Sequence, residues 1–323
     1  MNNNSKNAYI GIDVSKAHLD IHIRPIAKQM KIENSQRGMK RLLRFLKQTE
    51  YSVQQIVCES SGGYQRLAVR ILEEEGYNVW SANPALVKSF IRSEGVLSKT
   101  DAHDAKMIAL FAEKKEQSYE KEPWSQEMED LQELVKRKAD LVQMLAMEKT
   151  RLQSPTVNKA CSRLIKGHIR QLEKQIKKVD TITDEQRLLN PVWKKKTEIM
   201  QSIPGIGRET AVNLLTFMPE LGKITGKQSA ALLGVAPYAN ESGCYRGKTS
   251  VRGGRSIPRR LVYMAALSAS RANPVLKQFY NRLRTKGKKP KVAIVAVMRK
   301  LITFINVLLE KEKLWDSNHY KIA

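Results

Sequence analysis

At 323 residues the chain is long enough for two or three domains, each with an ample core. Its 57 Lys and Arg against 32 Asp and Glu leave a formal charge of +25, which points to a polyanionic partner, with a membrane surface as the competing one. No stretch is expected to reach the roughly 18 apolar residues of a membrane span, no signal peptide is read before the polar start, and neither the three dispersed cysteines nor the five histidines show disulfide or zinc spacing, so a reducing cytoplasm is expected.

Residues 8–14, 19–23 and 29–33 read as three consecutive strands joined by short turns, and 38–48 then shows helical spacing through Met39, Leu42, Leu43 and Leu46. A strand at 55–59, a helix at 64–75, a strand at 77–82 and helices at 84–92 and 102–113 follow. Three strands, a helix, a strand, a helix and a strand is the order of an RNase H-like α/β fold. Four acids stand where such a nuclease would need them. Asp13 interrupts the apolar run Tyr9-Ile10-Gly11-Ile12-Asp13-Val14, and Glu59 ends the run Gln55-Ile56-Val57-Cys58-Glu59. Asp101 and Asp104 are three apart at the head of a helix, on one face of it. An acid in a buried strand is costly unless it binds a cation. Acids from two strands and a helix turn could hold two Mg²⁺ about 4 Å apart, with Mn²⁺ able to substitute, for phosphodiester chemistry. Singly, each acid has an ordinary reading: Asp13 as a turn cap, Glu59 as a partner of a surface lysine, Asp101 as a helix cap and Asp104 as a first-turn residue on the helix dipole.

Residues 124–187 are dense in charge and poor in glycine. Leu131, Leu134, Leu141, Leu145 and Leu152, then Ile165, Ile169, Leu172, Ile176 and Val179, recur near a 3.5 period about a break at Ser154-Pro155. This predicts an antiparallel helical hairpin about 40 Å long at ~1.5 Å per residue, with Lys138 and Glu148 as flaws in its seam. It is either a spacer or a dimerisation element.

Residues 197–313 are predicted helical with glycine-rich interruptions. In Ser202-Ile203-Pro204-Gly205-Ile206-Gly207, Gly205 and Gly207 suit the turn of a helix-hairpin-helix module, whose exposed N–H groups hold a phosphate; a tight turn between packed helices is the plain alternative. A polar loop, 240–244, and an apolar helix from 292 to 309 follow. Between Arg246 and Lys300 lie sixteen Lys or Arg and no acid. That pattern reads as a phosphate-contacting surface, with Arg246, Lys248, Arg252, Arg255, Arg259, Arg260, Lys286, Lys288, Lys289 and Lys291 as its expected contacts.

The segments YIGIDVSK (9–16), CESSGGY (58–64), NPALVKSF (83–90), SEGVLSKTDAHDA (93–105), SIPGIG (202–207), ALLGVAPYANESG (231–243) and LVYMAAL (261–267) together resemble the DEDD transposases of the insertion-sequence-110 family, relatives of the Piv-type DNA invertases. The resemblance implies a RuvC-like catalytic domain over 1–122, a coiled-coil hairpin over 123–196 and a mostly α C-terminal transposase domain over 197–323. It implies a catalytic serine, which maps onto Ser242 in Glu241-Ser242-Gly243 and would form a covalent ester with a DNA strand. No histidine lies near Ser242 in sequence, so ions held by the four acids would have to activate it, across space in one chain or between protomers. The resemblance further implies double-stranded donor and target DNA, a guide (bridge) RNA and a homo-oligomer, dimer or tetramer, built through the coiled coil, in the cytoplasm of a bacterium or archaeon. Residues 244–258 do not align with the family position by position. Alternatives remain: a Piv-like invertase, a RuvC-like junction resolvase using water in place of Ser242, and a basic architectural protein that needs none of the acids.

Overall fold

The computed structural model describes residues 6–59, 63–95, 101–115, 125–238, 241–242, 245–247 and 249–318; the side chains of 101–103, 241–242 and 245–246 lie outside the description. The chain divides into two compact units, Met1–Trp124 and Ser125–Ala323.

The first unit is a mixed α/β sheet domain. Its strands are β1 (Asn7–Val14), β2 (His18–Arg24), β3 (Lys28–Glu33), β4 (Ser52–Glu59) and β5 (Val79–Ala82), in the spatial order β3-β2-β1-β4-β5. The first three pair antiparallel, whereas β4 and β5 join β1 in parallel. Alternation divides each strand between two cores. Ile10, Ile12, Leu19, Ile21, Ile56 and Cys58 face the side covered by α1 (Gln36–Gln48) and α2 (Arg66–Glu74). Val57 and Ala82 face the other side with Phe90 of α3 (Pro84–Ser93) and Ile108 and Phe111 of α4 (Asp101–Lys114). Strand β4 begins three residues before its predicted start, since Ser52 and Val53 still pair with Asn7 and Ala8.

The second unit is mostly helical. Helices α5 (Gln126–Leu152) and α6 (Lys159–Leu189) break where Ser154-Pro155 predicts. They run antiparallel, as the Lys149–Glu173 (3.0 Å) and Lys138–Asp180 (2.9 Å) ion pairs require. Leu131, Val135, Leu141 and Leu172 are buried, but Met144, Met147 and Leu164 are exposed. The two charged flaws find partners: Lys138 also reaches Glu209 at 3.4 Å, and Glu148 takes Arg151 at 2.7 Å and His168 at 3.4 Å. Helices α7 (Pro191–Gln201), α8 (Arg208–Phe217), α9 (Gly226–Leu233), α10 (Ser256–Ala272), α11 (Pro274–Thr285) and α12 (Pro290–Lys311) complete the unit. The border expected at 196/197 falls inside α7.

Three helices start on Asn-Pro. In α3, α7 and α11 the Asn side chain accepts the amide of the second helical residue, and proline fills the first position, where no amide partner is needed. The expectation that no stretch is long and apolar enough to span a membrane is corrected by α12. It is long and apolar enough by length and composition, with a mean hydropathy of 2.1, and 61% of that window is buried. Val297, Leu301 and Ile305 pack inside the unit, which is why the helix is apolar.

Candidate active site

In the first unit the sheet and α4 bring acids to one edge. Ile12 pairs with Cys58 in the parallel β1–β4 ladder, so Asp13 and Glu59 follow at matched positions at the carboxyl ends of neighbouring strands. Both lie on the face opposite Ile12 and Cys58, the face covered by α4. Helix α4 runs antiparallel to β1. Its last turn lies over the strands' early residues, where Glu113 receives Arg24 Nε at 2.7 Å and the Lys115 carbonyl accepts from Gln55 Nε2 at 3.1 Å. Its first turn therefore lies toward Asp13 and Glu59. Asp104 is one turn before fully buried Ile108, on the stripe that meets the sheet.

Gly11 sets how closely α4 approaches. A Cβ there would lie 2.7 Å from the Ile108 carbonyl carbon and closer still to Ala109 N and Ala105 O. Only glycine admits helix backbone this close to β1. Asp13, Glu59 and Asp104 are all partly buried. The side chain of Asp101 lies outside the described residues.

Two neighbours escaped sequence reasoning. Asp20 stands directly across from Asp13 in the β1–β2 ladder, on the same face, with Lys31 at 3.4 Å. His22 pairs with Gly11, is 3% exposed, and its Nδ1 has no hydrogen-bond partner among the described residues. Burial, and then the charges of Lys106 and Arg24, hold its pKa below the usual histidine value. The signal for both was the polar alternation His18-x-Asp20-x-His22-x-Arg24 along β2.

An all-carboxylate donor set suits a hard divalent cation such as Mg²⁺ or Mn²⁺. Among the described residues no three acid, histidine or cysteine side chains stand as a group that could hold one. The fit to a metal therefore rests on donor chemistry and on the shared edge.

Comparison with known proteins decides the family. The DEDD transposase model of the IS110 type matches residues 10–157, and a model described as "Transposase IS116/IS110/IS902 family" matches residues 197–281. Together they take in more than two thirds of the chain. The chain belongs to the IS110 family of transposases. It is similar to the pilin gene-inverting protein of Moraxella lacunata, 26% identical over 316 residues, or 95% of this chain and 97% of that one. The pilin gene-inverting protein of Moraxella bovis is also 26% identical, over 318 residues, with the same coverage. The insertion element IS110 uncharacterized 43.6 kDa protein of Streptomyces coelicolor is 28% identical over 121 residues, covering 37% of this chain and 30% of that one. A DNA-recombining or transposing enzyme acting on DNA follows from this membership.

The second unit of this IS110-family chain carries Ser242 on a β-arm between α9 and α10. Strands β6 (Pro237–Tyr238) and β9 (Ser250–Val251) pair antiparallel, and inside them β7 (Glu241–Ser242) pairs with β8 (Tyr245–Arg246). Ser242 thus belongs to a short ladder rather than to the expected loop. Two-residue strands of polar sequence carry no periodicity to read. The arm's foot is clamped tightly. Gly254 lies so close to the Gly234 backbone that a Cβ would overlap Gly234 N and Cα. Arg252 stacks over the Tyr238 ring at 5.1 Å.

The expected phosphate contacts divide. Arg255 grips Glu220 through two bonds of 2.6 and 2.7 Å and donates to the Phe217 carbonyl at 2.6 Å, so its guanidinium is engaged within the protein. Glu220 lies 35 residues away, which a run of basic residues cannot reveal. Arg259 gives its Nε to the Leu233 carbonyl at 3.1 Å, and Arg260, Lys286, Lys288, Lys289 and Lys291 are exposed. The side chains of Arg246 and Lys248 lie outside the described residues. Gly205, at φ +103°, is committed to packing: its Cβ would lie 2.5 Å from Ala269 Cα. Gly207 caps α8 with open space beside it.

Proposed function

We propose that the chain cuts and rejoins DNA as a site-specific recombinase of the transposase kind. In this reading Asp13, Glu59, Asp101 and Asp104 hold divalent metal on an RNase H-like, RuvC-like unit, and Ser242 is the nucleophile. The observation that carries it is the pair Asp13 and Glu59 at matched strand ends, with α4 bringing Asp104 toward the same edge. A divalent ion held there, Mg²⁺ or Mn²⁺, would polarise the phosphate and stabilise the leaving oxygen.

Ser242 Oγ attacks the phosphorus, and its proton passes to a carboxylate or to water. One P–O ester bond breaks, and the freed sugar oxygen takes a proton. The strand stays esterified to Ser242, so the bond is conserved for religation by a second strand's hydroxyl. Exposed lysines of 286–291 hold DNA backbone. Residues 1–122, 123–196 and 197–323 are the catalytic, coiled-coil and serine-bearing parts. Oligomerisation through the α5–α6 hairpin and selection of target by a guide RNA complete the proposal.

Inversion is a second reading, favoured by full-length relatives named for gene inversion. A plasmid carrying two sites in opposed and in direct orientation separates them, because an invertase flips the former and a transposase moves a segment out of either. The metal reading is tested by Asp13→Asn, Glu59→Gln, Asp101→Asn and Asp104→Asn, which should each abolish strand exchange while DNA affinity stays within a few-fold. Full recombination by Asp13→Asn removes the acids from the chemistry.

A further inference from the structure

The foot of the serine arm covers a cavity of about 350 Å³ bounded by β9, α10, α12 and the α9 end, lined by Val251, Arg259, Arg260, Tyr263, Val295 and Met298 among others. Its floor is apolar and deep, since Met298 is 2% exposed. Its mouth is open and basic: Val251 is 40% exposed, and Arg260 is exposed beside it. The volume sits at the low end of the ~300–1,000 Å³ range of small-ligand sites, enough for one base and its sugar but not for a stack of bases.

We infer that this cavity takes a single unstacked nucleotide of the DNA strand being recombined. The argument is chemical. A nucleobase is a flat, mostly apolar body that gains by leaving water for an aliphatic floor and an aromatic ring, here Val295, Met298 and Tyr263. The phosphate attached to it needs planar cationic donors at the mouth, which exposed Arg260 supplies, with the remaining nitrogens of Arg259 beside it, its Nε being given to the Leu233 carbonyl. No acid occurs between Arg246 and Lys300, so nothing in the segment bearing these two arginines opposes an anion. An apolar small molecule would not need the two guanidiniums, and a phosphate alone would not need the floor. The cavity wall and the serine arm share residues: Val251 closes the ladder with Pro237, and Gly234 at the wall packs on Gly254 at the arm's foot. A base seated here fixes the register of the strand relative to the arm. Seating it costs the unstacking of one base, and so favours weakly stacked steps at the crossover.

The inference rests on DNA being the substrate, not on Ser242 or on the acids. Its test therefore uses full-length Ser242→Ala protein in EDTA, where neither can affect the outcome. Deoxyadenosine monophosphate, deoxyadenosine and inorganic phosphate are titrated separately by calorimetry. The monophosphate should saturate one site more tightly than either of its parts. Val251→Trp, which fills the mouth from an exposed strand position, should abolish that binding with its melting temperature unchanged. Arg260→Gln, on the surface, should weaken it about tenfold, as expected for loss of one charge-assisted hydrogen bond. A DNA oligonucleotide bearing 5-iododeoxyuridine should photocrosslink to the Tyr263 peptide. No saturable monophosphate site, equal binding by Val251→Trp and Arg260→Gln, or a Tyr263 crosslink formed by RNA and not by DNA would each overturn the inference.

Discussion

Replacing Gly11 by alanine tests whether the α4–β1 approach positions the acids. Gly11 is in ordinary strand conformation, so alanine costs nothing in backbone geometry and its effect is purely steric. The new Cβ would meet the Ile108 carbonyl carbon at 2.7 Å, against the ~3.5–4.0 Å of normal carbon contact. Helix α4 must therefore withdraw by about an ångström. All the clashing atoms are main-chain, so trimming a side chain on α4 cannot relieve them. Overpacking of this kind costs about 1–3 kcal/mol of stability. Because α4 carries Asp101 and Asp104 while β1 carries Asp13, the same shift separates the acids, and a displacement near 1 Å can cost about 10²-fold in rate. Urea denaturation should show the modest stability loss, DNA affinity should hold, and strand exchange should fall about a hundredfold. Wild-type exchange with an unchanged denaturation midpoint would refute the claim that Gly11 sets the site.

Glu220→Ala should destabilise the second unit by about 2–3 kcal/mol, because it strands Arg255 beside the arm; denaturation reads the loss, and Arg255→Lys with Glu220 intact should also lose stability, lacking the two-pronged geometry. Neutralising Lys286, Lys288, Lys289 and Lys291 together should flatten the log–log dependence of DNA affinity on salt by nearly one unit for each phosphate no longer neutralised; an unchanged slope moves the clamp elsewhere. His22 is held neutral in the fold, so the folded state binds fewer protons there than the unfolded chain. Its contribution is whole above the unfolded pKa near 6.5 and is lost as pH falls below it, with a slope of at most about 1.4 kcal/mol per pH unit. The stability difference between His22→Leu and wild type should therefore shift in favour of the variant from pH 7.5 to 5.5, and a pH-independent difference would contradict buried neutral His22.

Elements built on strong periodicity are readable in the sequence alone. The strands around Asp13 and Glu59 stand out because an acid interrupts or ends an apolar run, and the Ser154-Pro155 break locates the hairpin turn. Asp20 does not stand out, since one acid in an alternating half-polar strand is ordinary, and only the β1–β2 register sets it opposite Asp13. Arg255 shows the limit for charge patterns: composition says a surface is basic, but not that one guanidinium is held by a carboxylate from another loop. The arm bearing Ser242 is invisible for a different reason. Its ladder is two residues deep, and what fixes it is the Gly234–Gly254 packing and the Arg252–Tyr238 stacking, which are tertiary. Helix α12 is apolar because Val297, Leu301 and Ile305 face the interior of the unit while Val292 and Arg299 stay outside, and composition alone does not separate such a helix from a span.

The central claim is that Ser242 takes the strand while the acids support the chemistry. Stopping the reaction with denaturant, digesting the protein–DNA product and mapping the nucleotide-bearing peptide by mass spectrometry tests it most directly. The account predicts a phosphodiester on Ser242, absent from Ser242→Ala and from Asp13→Asn protein. An adduct on another residue, Ser250 first among them, or cleavage by Ser242→Ala with no adduct at all, would contradict it; the latter result would identify water as the nucleophile.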